Sequence, residues 1–329
     1  MSQPDLFSLS DAPVDAGAPP AALAALPHQL TPRSPLSAAF APYQAYMHSQ
    51  GMSDNTVKAF MSDVRLLSRY FKELGNSPRL EEIGGQDLNQ FLYWLKFERA
   101  NSQSRRIPCS PKSYARRITT LKSFFGWLEE ENVLPASPAA AVIQESVRAP
   151  LPRILYDAEI DRLVRSTRDL LWSPTKPDAR PHLLVLLLLQ TGLKKAETAH
   201  IRLGDIDFSN PREPELLVRH DEPRNAHKER KLFLGAAFQP VYNQYIQAYK
   251  PQEFLFECTP RNLEYVLAEA AALAGIKDGV SFETMRWTAA VRSYRFGTPP
   301  DALRKKLGLS PITWRETFEK IKKLAGPGL

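Results

Sequence analysis

Residues 186–208 read LLLLQTGLKKAETAHIRLGDIDF. The apolar run leading into this stretch, Leu183 to Gln190, predicts a buried helix, and Thr191-Gly192 ends it, because glycine takes the left-handed backbone that closes a helix at no steric cost. Leu183 to Leu189 is the longest apolar run and falls far short of the roughly 20 residues needed to span a bilayer. Upstream, Asp157-Ala-Glu-Ile opens a capped helix. Downstream, Glu215 to Leu234 alternates (Leu217, Arg219; Lys231, Phe233) and predicts a hairpin around Glu222-Pro-Arg-Asn-Ala. Helical patterns resume through Tyr265 to Leu273 and run on to Lys323. The part from 148 to 329 therefore reads as helices around one small β-hairpin.

The preceding part is helical. Between Leu36 and Val147, turn signals at Gly51-Met-Ser, Gly75-Asn-Ser-Pro and Ile107-Pro-Cys-Ser-Pro separate four or more helices. Ser53-Asp-Asn-Thr caps one of them, whose Val57, Phe60, Val64, Leu67 and Phe71 recur at helical spacing as a core stripe. Another, roughly Lys112 to Glu130, turns Tyr114, Ile118, Leu121, Phe125 and Leu128 inward. The Ala/Pro/Ser-rich stretch from Pro135 to Pro152 reads as an extended linker. Residues 1–35 carry prolines at 4, 13, 19, 20, 27, 32 and 35 and offer no core face, so they read as a disordered tail, with Leu6, Phe7 and Leu9 as a candidate docking segment. A chain of 329 residues with 43% hydrophobic content supports two domains, 36–147 and 148–329.

Charge narrows the partner. The chain carries 43 Lys+Arg against 36 Asp+Glu, a net +7, which favours a polyanion. Between Arg99 and Lys122 lie Arg105, Arg106, Lys112, Arg116 and Arg117 with no acidic residue among them, the footprint of phosphate contacts rather than of a solvated face with alternating signs. From Ser281 to the end, ten basic residues face four acids. Cys109 and Cys258 stand far apart, outside any Cys/His spacing, so no disulfide framework or zinc site is expected and the compartment reads as reducing. With no secretory leader, a cytoplasmic, nucleoid-associated protein is expected, with no membrane contact.

Taken in order, SYARRITTLKSFFGWL, a linker, LLLLQTGLKKAETAHIRLGDIDF, the basic hairpin HKERKLFL, FETMRWTAA and LGLSPITWRETF resemble the tyrosine recombinases, the phage integrase class, of the Xer-like kind, over about residues 36–323. The resemblance implies a mainly α fold with a small sheet: an N-terminal all-helical SAM-like core-binding domain and an α+β catalytic-type domain closing as a C-shaped clamp on double-stranded DNA. It also implies a chemistry without metal or cofactor. A tyrosine attacks phosphorus, two arginines hold the non-bridging oxygens as charge builds there, a hairpin lysine protonates the leaving oxygen, and histidines assist.

At the positions that carry these roles the sequence departs from the family. The first arginine's motif reads Thr191-Gly-Leu-Lys194-Lys-Ala-Glu197, and a lysine keeps the charge but loses the bidentate fork. The His-x-x-Arg motif is Glu283-Thr-Met-Arg286; the arginine is retained, while the carboxylate either repels a phosphate or pairs with Arg286 one turn away. Leu-Gly-His becomes Leu307-Gly-Leu309, and the nucleophile's place is Phe318. The hairpin lysine falls on Arg224, Asn225 or Lys228, with Arg230 following. Lys194, Arg224, Lys228, Arg230 and Arg286 join the first block as candidate DNA contacts.

The reading that follows is a cleavage-incompetent DNA-binding relative, an accessory or regulatory factor in recombination or integration that works with an active recombinase or associates with itself. One alternative is an active recombinase using a displaced tyrosine, Tyr294, or one supplied in trans. A further alternative is an interaction module, freed of DNA binding, that docks through its C-terminal helix, about Arg315 to Leu324, with Trp314, Phe318 and Ile321 as the apolar stripe.

Overall fold

The computed structural model describes residues 30–100, 105–107, 109–142, 150–220 and 223–326, the side chains of 223 and 224 excepted. The tail before residue 30 and the linker segment 143–149 lie outside the described residues, as do the expectations attached to them. The chain divides into two compact units, Met1–Ala149 and Pro150–Leu329.

Among the described residues of the first unit four α-helices surround one core: α1 (Phe40–Ser49), α2 (Asp54–Glu73), α3 (Gly85–Phe97) and α4 (Pro111–Glu130). The cap expected at Ser53 is in place, and Ser110 adds another. The Ser53 hydroxyl accepts from the Thr56 amide at the start of α2, and Ser110 does the same for Ser113 before α4, satisfying donors that a helix start leaves unpaired. Tyr43 of α1 is fully buried, meets Phe124 edge-on at 5.0 Å, and donates to Ser123 on α4 at 2.9 Å; burial pushes its phenol up to about 12. The linker begins later than Pro135 suggests, because the short 3-10 turn Pro138–Ala141 folds back on this core and buries Ala139 and Val142.

The second unit is built around an apolar helix. Its helices are α5 (Asp157–Leu171), α6 (Arg180–Thr191), α7 (Lys195–Ala199), α8 (Phe238–Tyr249), α9 (Pro260–Leu273), α10 (Phe282–Arg295), α11 (Pro300–Lys306) and α12 (Pro311–Ala325). Leu183, Leu184, Val185, Leu187 and Leu188 of α6 have no exposed surface, and α5, α8, α9 and α10 cover them. Gly192 ends α6 at φ 66°, its amide bonded to the Leu188 carbonyl. The three-stranded antiparallel sheet has the order β1 (Ile206–Asp207), β2 (Glu215–Val218), β3 (Arg230–Phe233), with Leu216 opposite Leu232 and Val218 opposite Arg230. The hairpin of β2 and β3 was legible in the sequence; β1 was not, since two residues show no alternation. A second small core joins Ile154, Val291, Leu303, Leu307 and Ile321, so the apolar stripe of α12 packs in cis on α10 and α11. Among the described residues no helix is long and apolar enough to cross a membrane.

Candidate functional site

The loop after α6, the end of the hairpin and the start of α10 bring four of the predicted cations together. Glu197, on α7, neighbours Lys194, Arg230 and Arg286: its side chain is 4% exposed, and Arg230 grips both of its oxygens at 3.2 and 3.0 Å. The Lys194 amide donates to the same carboxylate at 2.9 Å. Burial alone would raise the Glu197 carboxyl, but the hydrogen bonds and charge of Arg230, with Lys194, outweigh it and hold the group below the usual carboxylate range. Arg230 is itself 7% exposed and donates from Nε to the Lys306 carbonyl at 2.8 Å. Gly308 makes this approach possible, because a Cβ there would lie 2.8 Å from Arg230 Nη1 and its φ of 58° disfavours any side chain.

Arg286 donates through Nη1 to the Gly192 carbonyl at 2.6 Å and through Nη2 to the Leu307 carbonyl. Burial pulls its guanidinium down to about 10, so it stays charged at neutral pH. Lys194 is exposed at the same place; desolvation lowers its ammonium, and Arg286, Arg230 and Lys228 add to the effect against the attraction of Glu197. Lys228 closes the group from the 3-10 turn Pro223–Lys228 and donates to the Asn225 side chain. Around one carboxylate that Arg230 already occupies, Lys194, Lys228 and Arg286 leave a surplus of positive charge, an arrangement suited to a phosphate oxygen.

The sequence reading missed His220. Its Nε2 lies 3.8 Å from Glu197 Oε1, is buried, and has no hydrogen-bond partner among the described residues. Desolvation keeps its imidazole below the ordinary range; Glu197 opposes this, while Arg230, Lys228 and Lys194 reinforce it. A signal was available: Leu216 and Val218 of β2 are buried, and strand alternation puts residue 220 on their face.

The other motif positions lie elsewhere. Glu283 is exposed in the first turn of α10 and forms no ion pair with Arg286, contrary to the pairing considered above; the donors of Arg286 are committed to carbonyls instead. Leu309 belongs to the small core with Leu303 and Ile321. Phe318 is half-buried, edge-on to Tyr294 at 5.6 Å and stacked on Trp314 at 5.0 Å, with the Lys322 ammonium over its ring. The side chain of Arg224 lies outside the described residues. Among the described residues no cluster of His, Cys, Asp or Glu could hold a metal ion.

In the first unit, the basic block acquires the acid that the local sequence lacked. Asp63 of α2, 3% exposed, meets Arg116 at 2.9 Å and Arg117 at 3.4 Å, and Thr120 donates to it at 3.2 Å. Burial raises its carboxyl; the two arginines oppose this and do not overcome it. Arg117 is 11% exposed and also points Nη1 at Cys109 Sγ, so it serves the interior, whereas Arg116 keeps over a third of its surface open. Lys112, Lys122, Arg105 and Arg106 are exposed, Arg106 donating to the Lys96 carbonyl.

The profile of the phage integrase N-terminal SAM-like domain matches residues 41–132, and that of the phage integrase family matches residues 153–316. The chain belongs to the phage integrase family. Among this family's members it is 26% identical over 292 residues to a tyrosine recombinase of Thermosipho africanus, covering 84% of this chain and 95% of that one. It is 22% identical over 289 residues to tyrosine recombinase XerD of Listeria innocua, covering 84% and 91%. The integrase fold is shared with lambda integrase in a dimer bound to a COC' core site (TM-score 0.65, 14% identity, 86% and 77% covered). It is also shared with the Tn1549 transposon integrase in complex with transposon right end DNA (TM-score 0.65, 17% identity, 87% and 94% covered).

Proposed function

We propose that this integrase-family chain grips double-stranded DNA without cutting it, acting as an accessory or regulatory factor in DNA recombination or integration. One observation carries the reading. Phe318 stands at the nucleophile's place, a bare ring packed on Tyr294 and Trp314, while Lys194, Lys228, Arg230 and Arg286 remain gathered around Glu197. Binding needs placed positive charge, which tolerates exchange of arginine for lysine; transesterification needs a hydroxyl on phosphorus, which no phenylalanine supplies. Glu283 and Leu309 in place of histidines leave those proton-transfer roles empty, while the hairpin lysine's place falls on Arg224, Asn225 or Lys228. Relatives named as tyrosine recombinases, and fold neighbours captured with DNA, support duplex DNA as the partner.

Tyr294 is a poor substitute nucleophile. It follows Arg286 by eight residues on the same helix, about 12 Å along the axis, and its ring is held against Phe318.

Two measurements test the proposal. Fluorescence anisotropy with duplex DNA is expected to show micromolar or tighter binding that weakens steeply with salt, and Arg286→Ala weakens it further; binding that is absent or indifferent to salt defeats the DNA reading. A nicked suicide substrate run on a denaturing gel is expected to give no covalent adduct with the wild type or with Phe318→Tyr. A protein-DNA band lost in Tyr294→Phe would establish an active enzyme instead.

A further inference from the structure

A groove of about 530 Å³ opens in the second unit between α5, α6 and α10, with Lys306 of α11 at one end. Its walls are chemically two-sided. Ile160, Val164, Leu186 and Leu189 make an apolar floor, and Arg165, Arg168, Arg292 and Lys306 stand around it with Asp161 as the lone acid. Elsewhere in the same unit some arginines are matched by carboxylates, Arg153 by Glu159, Arg180 by Asp178, Arg219 by Asp205 and Arg304 by Asp301, and others, such as Arg286 and Arg295, spend donors on main-chain carbonyls. Arg165, Arg168 and Arg292 have no ion-pair partner among the described residues.

Three unmatched guanidinium groups around one concavity raise a local positive potential that an anion lowers, and a planar fork suits phosphate oxygens. At the mouth Phe296 is 80% exposed, with the Arg292 guanidinium 5.7 Å from its ring centre. An exposed ring beside an apolar floor offers a π-face to a flat heterocycle. The volume lies within the range of small-molecule sites, about 300–1,000 Å³. Phosphate oxygens on one side and a planar apolar ring on the other describe a nucleotide.

We propose that this groove is a nucleotide-binding site, the base resting on Phe296 and the apolar floor and the phosphate held by Arg165, Arg168 and Arg292. The nucleotide is either a free nucleoside phosphate or the unpaired 5′-phosphorylated end of a DNA strand, since both present the same chemistry. The groove adjoins the Glu197 cluster without belonging to it: Lys306 gives its carbonyl to Arg230 on one side and donates from Nζ to the Ser293 hydroxyl at 3.0 Å in the groove.

The test titrates the full chain by calorimetry with ATP, with a 5′-phosphorylated oligonucleotide bearing a single-stranded overhang, and with inorganic phosphate. Saturable binding of ATP or of the overhang is expected, with inorganic phosphate at least tenfold weaker. The Arg165→Ala/Arg168→Ala variant is expected to lose at least about tenfold, the worth of one charge-assisted hydrogen bond. Phe296→Ala is expected to weaken ATP and leave inorganic phosphate unchanged. Tighter binding of the overhang than of ATP, with the same dependence on Arg165 and Arg168, assigns the groove to a DNA end. No saturable binding by either nucleotide overturns the proposal, as does binding unaffected by the double variant, or inorganic phosphate matching ATP.

Discussion

Glu197 carries more of this fold than its single negative charge suggests. It caps the turn after Lys194, absorbs the fork of Arg230 and sets the field felt by His220 and Arg286. Glu197→Ala leaves Arg230 buried, charged and opposed only by carbonyls, which costs about 3–5 kcal/mol for a broken buried pair. Urea denaturation is the measurement, and a loss under about 1 kcal/mol would mean that water or a rearranged partner replaces the carboxylate. The residue stood in plain view within the motif 191–197, yet nothing along the chain links it to Arg230, 33 positions on. In the proposed function, Lys194, Glu283, Leu309 and Phe318 count as departures from the family on the sequence, where each is a change of functional group.

At the scale of elements, α4 shows what periodicity reveals and what it hides. Its inward stripe followed from helical spacing, and Ile118, Leu121, Phe125 and Leu128 are indeed buried. The partnership of Arg116 and Arg117 with Asp63 did not follow, since a buried acid 53 residues upstream leaves no local trace. This pairing separates two neighbours that look alike in sequence. Arg116→Ala is expected to destabilise the first unit, since it removes the 2.9 Å partner of a buried carboxylate, and, being over a third exposed, also to lower the salt slope of DNA binding by about one unit. Arg117→Ala is expected chiefly to destabilise the first unit, by about 3 kcal/mol, since it strips a partner from a buried carboxylate. An unchanged salt slope in Arg116→Ala, or an equal lowering in Arg117→Ala, would refute the distinction. The hairpin was likewise readable from alternation, whereas β1 was too short to register, and the parity that turns His220 inward went unused.

For the molecule as a whole, the two units and their helical content were legible because capping residues, turn signals and an apolar helix all pointed one way. The linker was harder, since the Ala/Pro-rich turn after α4 packs as core while looking like a spacer. Stability also carries a pH signature. His182 is buried on α6, hydrogen-bonded to Thr167 at 2.9 Å, and burial, helped by Arg168, lowers its imidazole to about 4. A lowered value means that the folded state resists protonation. The contribution is therefore complete above about pH 6.5, the unfolded value, and is lost as pH falls from there towards 4, about 3 kcal/mol in all. Thermal melts between pH 7 and 4 are expected to drop more for the wild type than for His182→Gln, and parallel curves would refute the assignment. Arg286, finally, ties the segment after α6 to the one before α12 by gripping a main-chain oxygen in each. Such a fastener has a value apart from any chemistry at the site, since giving up this arginine would unlatch two stretches of backbone at once.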